Sequence, residues 1–431
     1  MRLKDAEKKD KNVFKKIFED NWERFKRLNP GYNKEQYNDV VEKMLKCGSE
    51  LGGYAEYRCI NCGLDFRRVA FSCKSMFCLS CCKVYTDNFV SKTSEMLHPG
   101  MRYRHAILTV PEQFRMYFYR DKFEGELLKE LFKTGYKCLE DVINTKFRKK
   151  LKIGIIVVLQ TYGRSGKYVP HLHIIITNGG YDEERNEWKE LKYLPFEILH
   201  TKWQEHLLEM MGRELKTVEM GKLIEEMKIL YPNGFVANIS KGEAPRNGSG
   251  LARYLAKYIA SPPISVRRIL EYDDNKVKYC YKDHITKKME TVTIDVMTFI
   301  GRMVQHILPK GFQRVKYYGI QAIKTLTTWR EKIKNCVKKL KGRIKDVYEV
   351  VEKLDYRERY KKGCGRDPFI CSRCGGEMEL SVIWHPDYGV IYDEIERAKR
   401  GYYEKKKVGG FGGRGGCSIR RTSGKVQISM F

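Results

Sequence analysis

"VVLQTYGRSGKYVPHLHIIITNGG", residues 157–180, carries two histidines one residue apart in an apolar run. Side chains alternate along a strand, so His171 and His173 share one face of any strand that holds them. Burying two imidazoles side by side is costly unless their nitrogens find partners. The flanking segments, 152–163 and 170–177, read as consecutive strands joined by a glycine-containing loop. Antiparallel pairing of these strands brings Gln160 close to His173 and turns Ile174 and Ile176 to the opposite, core-facing side.

Three chemistries fit such a pair. The histidines can be satisfied core residues, or zinc ligands that still want two soft partners. They can also hold a harder catalytic ion, Mg2+ or Mn2+, with the Gln160 carbonyl as third ligand and further positions open to water or phosphate.

The surroundings narrow the class of partner. The chain has 431 residues, enough for two or three domains, and 83 Lys and Arg against 54 Asp and Glu give a formal charge of +29. A chain this basic favours nucleic acid, and 28 tyrosines with 19 phenylalanines supply faces for stacking on unpaired bases. No apolar run approaches a membrane span, and the start, "MRLKDAEKKDKNVFKK", lacks a signal-peptide core. A cytoplasmic, nucleoid-associated protein of a prokaryote with no membrane partner is expected. In that reducing setting, clustered cysteines among the 14 present point to metal rather than disulfides.

"CINCGLDFRRVAFSCKSMFCLSCCK" (59–83) contains Cys59-x2-Cys62 and Cys78-x2-Cys81, the spacing of a four-cysteine structural zinc site. Cys73 and Cys82 are left over, and Cys73 can replace one of the four. Downstream, Cys371-x2-Cys374 forms another knuckle, with Cys364 and His385 as candidate completers.

Elsewhere the pattern is mixed. Residues 1–54 read as a charged helical segment with Val13, Ile17, Trp22 and Phe25 at helical spacing. "RYRHAILTVP" (102–111) and "GFVANISKG" (234–242) read as strands, 112–150 as one or two helices, and 181–233 as a helical insertion. "KVKYCYKD" and "ETVTIDV" alternate like a hairpin, and "MTFIGRMVQHIL" reads as a helix. A basic helical segment over 321–362, a second zinc ribbon over 363–390 and a flexible Gly/Arg-rich tail over 400–431 complete the expected order. "SGLARYLAKYIASPP" (249–263) predicts a short helix with Tyr254 and Tyr258 on one face and Lys257 beside them. On periodicity alone, packing aromatics explain that pair.

Taken in this order, the motifs resemble the HUH (His-hydrophobe-His) nucleases, and among them the two-tyrosine transposases of insertion-sequence-91 type. The likeness runs through "FSCKSMFCLSC", "HAILTVP", "QTYGRSGKYVPHLHIIITNGG", "YLAKYIASPPIS" and "KGFQRVKYYGIQA". Leu79 stands where relatives often carry proline. The resemblance implies an α+β fold, a central antiparallel sheet flanked by helices in the ferredoxin or RNA-recognition style. An HUH nuclease domain over 100–320 and a zinc-binding module over 55–90 go with it. It implies that His171 and His173 hold the catalytic ion, with Gln160 matching a third ligand, and that Tyr254 and Tyr258 are nucleophiles. The activity it implies is rolling-circle transposition: single-stranded DNA at element ends and targets, cleaved and rejoined through 5′-phosphotyrosine intermediates. A replication initiator or relaxase with the same chemistry, and a non-catalytic zinc-dependent nucleic-acid-binding protein, are the competing expectations.

Overall fold

The structure, a computed structural model, describes residues 12–98, 100–191, 196–240, 250, 262–283, 286–341, 352–399, 418–422 and 425–429. Tyr254, Lys257 and Tyr258 lie outside the described residues, as does nearly all of the segment predicted to be their helix.

Helices α1 (Val13–Leu28) and α2 (Glu35–Lys46) precede strands β1 (Tyr54–Cys59) and β2 (Phe66–Ala70). Helix α3 (Leu79–Met96) leads into β3 (Tyr103–Thr109), and helices α4 (Glu112–Asp121) and α5 (Glu126–Phe147) lead into β4 (Gly154–Tyr162) and β5 (Tyr168–Thr177). A hairpin, β6 (Gly179–Asp182) and β7 (Glu187–Glu190), is followed by α6 (Phe196–Glu214), α7 (Val218–Leu230) and β8 (Ala237–Ile239). Strands β9 (Ile269–Tyr272), β10 (Lys276–Lys282) and β11 (Met289–Asp295) come next, then helix α8 (Val296–Val304) and β12 (Val315–Gly319). The last elements are α9 (Leu326–Lys341), α10 (Tyr356–Cys364), β13 (Met378–His385), β14 (Gly389–Asp393) and α11 (Glu394–Lys399). A final hairpin pairs β15 (Ser418–Thr422) with β16 (Lys425–Ser429), so part of the segment expected as a flexible tail is paired strand.

The chain divides into two compact units. The larger holds residues 1–53 and 70–368; the smaller joins 54–69 to 369–431. The segment 55–90, expected as one zinc module, is therefore split between them. Within the smaller unit the sheet order is β14-β13-β1-β2, with β1 antiparallel to β13 across more than three hundred residues of sequence.

The larger unit is built on a five-stranded antiparallel sheet, order β12-β4-β5-β3-β8. Strand alternation sorts its residues. Leu108, Val157, Leu172 and Ile174 face α5 and α6 in one buried layer. On the other face Ile156, Val158 and Ile175 pack with Phe89 and Val90 of α3 and Ile333 of α9. The 112–150 region forms two helices because Gly125, at φ +76°, takes a left-handed turn between them. The Asp121 carboxylate accepts the Leu127 N–H there at 2.7 Å. The 181–233 region opens with the β6–β7 hairpin; α6 then covers the same sheet face as α5, burying Leu199, Trp203 and Leu207. Helix α8 starts where Asp295 accepts the N–H groups of Met297 and Thr298.

Candidate active site and metal centres

The β4–β5 hairpin sets Gln160 opposite His171 and Val158 opposite His173, so the three polar side chains share one face. They meet there. Gln160 Oε1 is 2.9 Å from His171 Nε2 and 2.7 Å from His173 Nε2, and the two Nε2 atoms are 3.1 Å apart. His171 Nδ1 donates to the Val169 carbonyl at 2.7 Å, which leaves the lone pair on Nε2. Burial pushes the Tyr162 phenol up to about 12, with hydrogen bonding to the Gln160 side chain acting the other way, and the Gln160 oxygen faces the imidazoles. His171 Nε2 and Gln160 Oε1 are thus two acceptors in contact, and a shared cation resolves such a contact. Burial lowers the pKa of His171 to about 4 and that of His173 well below its usual value, so both rings are neutral at neutral pH.

The three separations also suit a hard ion. Three ligands on one face of an octahedron, each at 2.0–2.1 Å, are roughly 3 Å apart, and this arrangement leaves three positions open. The Gln160–His171–His173 set therefore fits a divalent cation by geometry and by donor chemistry.

A third histidine, not anticipated from sequence, completes the group. His105 of β3 places Nε2 3.0 Å from His173 Nδ1, with the rings stacked 10° from parallel. His105 is buried, and burial lowers its pKa to about 4. Its signal in the sequence was a lone histidine in an apolar strand. Only the antiparallel register, which pairs Ile107 with His173 and His105 with Ile175, brings it to the site.

The cysteines form two groups of four among the described residues, and neither is the expected set of Cys59, Cys62, Cys78 and Cys81. Cys78 and Cys81 join Cys73 and Cys47 in the larger unit; Cys59 and Cys62 join Cys371 and Cys374 in the smaller. In the first group Cys81 Sγ is 3.4 Å from Cys47 Sγ and 3.6 Å from Cys73 Sγ, and the Cys73 N–H donates to Cys47 Sγ at 3.3 Å. Hydrogen bonding with Cys73 lowers the pKa of Cys47 to about 7, while Cys47 pushes Cys73 and Cys81 up. In the second group Cys59 is 3.5 Å from Cys374, and Cys62 is 3.8 Å from Cys371. Sulfurs at about 2.3 Å from one tetrahedral zinc stand roughly 3.8 Å apart, so both groups fit that ion. The knuckles of the second group mirror each other. Gly63 donates to the Cys59 carbonyl and Gly375 to the Cys371 carbonyl, both at 3.1 Å, and both glycines have positive φ.

The correction has a physical reason. Neighbouring knuckles in sequence need not face each other, and β1 carries the first one away to pair with β13. Cys47 escaped notice because it is a single cysteine with no knuckle partner. Cys82 and the two expected completers stand outside both groups. Cys82 is buried and pushed up to about 11 by that burial. Cys364 is exposed at the end of α10, and His385 Nδ1 accepts the Asp387 N–H at 3.2 Å.

A family model described as "Putative transposase" matches residues 154–327, and one described as "Transposase zinc-binding domain" matches residues 17–110. The chain is 28% identical over 354 residues to the transposase for insertion sequence element IS801 of Pseudomonas savastanoi pv. phaseolicola. That alignment covers 79% of this chain and 82% of the relative. It is 27% identical over 352 residues to "Putative transposase y4qJ" of Sinorhizobium fredii, covering 77% of this chain and 85% of that one. No solved structure matches. An antiparallel α+β sheet with cysteine clusters and these two domain models define a zinc-binding transposase. Together these matches support a transposase of the insertion-sequence-91 type. No described helix is long and apolar enough to cross a membrane.

Proposed function

We propose that this transposase is an HUH single-strand endonuclease and strand transferase that nicks and rejoins single-stranded DNA at its element's ends. The reading is carried by the convergence of Gln160 Oε1 with His171 Nε2 and His173 Nε2. A divalent ion, Mg2+ or Mn2+, held by these three residues supplies charge that polarises the scissile phosphate. His105 acts behind them as a positioning residue, fixing the ring of His173.

The nucleophile is Tyr254 or Tyr258. Its phenol oxygen bonds to phosphorus as the bond to the 3′ oxygen breaks, and that oxygen leaves with the electron pair and takes up a proton. A 5′-phosphotyrosine and a free 3′-OH result. Lys257 assists loss of the phenol proton, since a free tyrosine has a pKa of about 10. The second tyrosine lets one covalent end be held while another strand is cut. The bond energy is kept in the phosphotyrosine, so strands are exchanged without ATP. The two cysteine quartets hold structural zinc, one in each unit, and the cationic surface gives salt-sensitive DNA affinity.

The test uses labelled single-stranded oligonucleotides from the element's ends, incubated with the protein and Mn2+. A denaturation-resistant adduct is expected, absent in the Tyr254→Phe/Tyr258→Phe double variant. An adduct that persists in that variant removes the nucleophile assignment. No adduct from genuine ends supports a binding protein without cleavage chemistry.

A further inference from the structure

The larger unit has a cavity of about 400 Å³, bounded by Tyr162, the Cys73–Phe77 segment and the His306–Phe312 loop. Its lining includes four cations, Lys43, Lys74, Lys310 and Arg314, and no carboxylate among the described residues. Lys43 is paired with Asp39 at 2.7 Å, whereas Lys74 and Lys310 are exposed at the mouth.

Arg314 is the unusual member. Its Nη2 donates to the His306 carbonyl at 3.1 Å, and the groups that bear on its charge are Tyr162, Tyr85, Tyr168 and Cys82. A guanidinium has five N–H donors in a planar fork, suited to a phosphate or carboxylate. Surrounding it with phenols and a thiol, with no carboxylate in the cavity lining among the described residues, is costly unless an anion arrives from outside. His306 gives no such charge. It is held between Thr161 Oγ1 at 3.2 Å and the Gly166 carbonyl at 3.0 Å, and burial lowers its pKa to about 3.

Two connections tie the cavity to cleavage. Tyr162 lines it and hydrogen-bonds the side chain of Gln160. Pro262 and Pro263, also in the lining, follow directly on the segment that carries Tyr254 and Tyr258.

We infer that this cavity holds a backbone phosphate of the DNA strand, beside the cleavage site, with Arg314 as the fork beneath it and Lys74 and Lys310 at its mouth. Tyr85 and Tyr162, which line it, supply aromatic surface beside the neighbouring base or sugar. The inference rests on the single-strand cleavage reading and adds a subsite to it.

The experiment measures the Kd of a labelled oligo-dT 20-mer across a salt series without divalent ion, for the full-length zinc-loaded protein. Adduct formation on end oligonucleotides with Mn2+ is scored separately. Each phosphate contact to a single strand contributes about 0.7 to the slope of log K against log salt. The exposed pair Lys74→Ala/Lys310→Ala is expected to lower that slope by about 1.4. The control pair Lys137→Ala/Lys146→Ala, on α5 across the sheet, is expected to leave it near the wild-type value. Arg314→Lys keeps the charge and loses the fork, so binding weakens several-fold with the slope retained. A Lys74/Lys310 slope equal to wild type, or Arg314→Lys binding equal to wild type, overturns the subsite. If that happens while wild-type adduct still forms, the cleavage reading survives alone.

Discussion

Gln160 Oε1 stands 2.7 Å from His173 Nε2, although the register places Gln160 opposite His171 rather than His173. The side chain leans diagonally, and so it reaches both imidazoles at once. Tyr162, two residues along β4 and past a register shift, also hydrogen-bonds the Gln160 side chain. The orientation of one amide thus decides whether the face can take a cation. Gln160→Ala is expected to weaken Mn2+ binding at least about tenfold. Gln160→Glu, which keeps the oxygen and adds charge, is expected to retain or tighten it; titration calorimetry reads both.

His105 predicts a separate effect. Replacing it with alanine removes the partner of His173 Nδ1 and leaves that nitrogen buried. Outer-shell losses of this kind lower metal affinity about 10–100-fold. The Mn2+ concentration for half-maximal adduct should rise by that factor in His105→Ala, with the adduct yield at saturating Mn2+ preserved. Equal Mn2+ dependence in variant and wild type would remove His105 from the site.

The cysteine groups predict two zinc ions per chain. Cys47→Ser should lose one and Cys371→Ser the other, each leaving the second in place, because the quartets lie in different units. Cys364→Ser and His385→Ala should keep both. Atomic absorption on purified variants reads the count. Loss of the same zinc from Cys47→Ser and Cys59→Ser would restore the single-site arrangement.

Much of this was legible. The spacing of two apolar strands around a glycine loop was enough to place Gln160 beside His173, because a short hairpin leaves little freedom of register. The hairpin of β10 and β11 and the helix over Val296–Val304 follow from alternation and helical period in the same way. What local pattern could not convey was long-range pairing. His105 reaches His173 only because β3 lies next to β5, and Cys59 reaches Cys374 only because β1 lies next to β13. The lone Cys47 gave no local sign at all. Strand neighbours distant in sequence are chosen by the packing of the whole sheet, which no window of residues contains.

Lys122 carries a pH prediction. It is buried, its Nζ donates to the Gln305 carbonyl at 2.9 Å, and the ring centroids of Tyr37, Tyr119 and Phe123 are 4.5–5.0 Å away. The rings attract the ammonium, yet burial outweighs them and, with Lys34 nearby, lowers its pKa to about 7. His306, which also bears on it, is neutral in this range. An unfolded lysine has a pKa of about 10.4, so between about 7 and 10.4 the unfolded chain binds the extra proton. Stability from this group is therefore present above pH 10.4 and lost as pH falls towards 7, by about 1.4 kcal/mol per unit of depression. Urea midpoints for wild type minus Lys122→Met should rise from pH 7.5 to 9.5. A flat difference would show that the ammonium is not penalised there.

Gly319 closes β12 against β4 at φ +60°, and an added Cβ would lie 1.8 Å from the Ile153 carbonyl oxygen. That contact is with backbone and cannot be relieved by a rotamer change. Gly319→Ala should cost about 2–4 kcal/mol, seen as a lower thermal midpoint. An unchanged midpoint would mean that this sheet edge yields.

On the proposed reading, the face formed by Gln160, His171 and His173 holds the ion that serves cleavage. Counting Mn2+ bound to the zinc-loaded protein by electron paramagnetic resonance tests it most directly. One Mn2+ per chain is predicted for wild type and for Tyr254→Phe/Tyr258→Phe, and none for His171→Ala/His173→Ala with both zinc ions retained. A full Mn2+ equivalent on the histidine double variant would place the ion elsewhere.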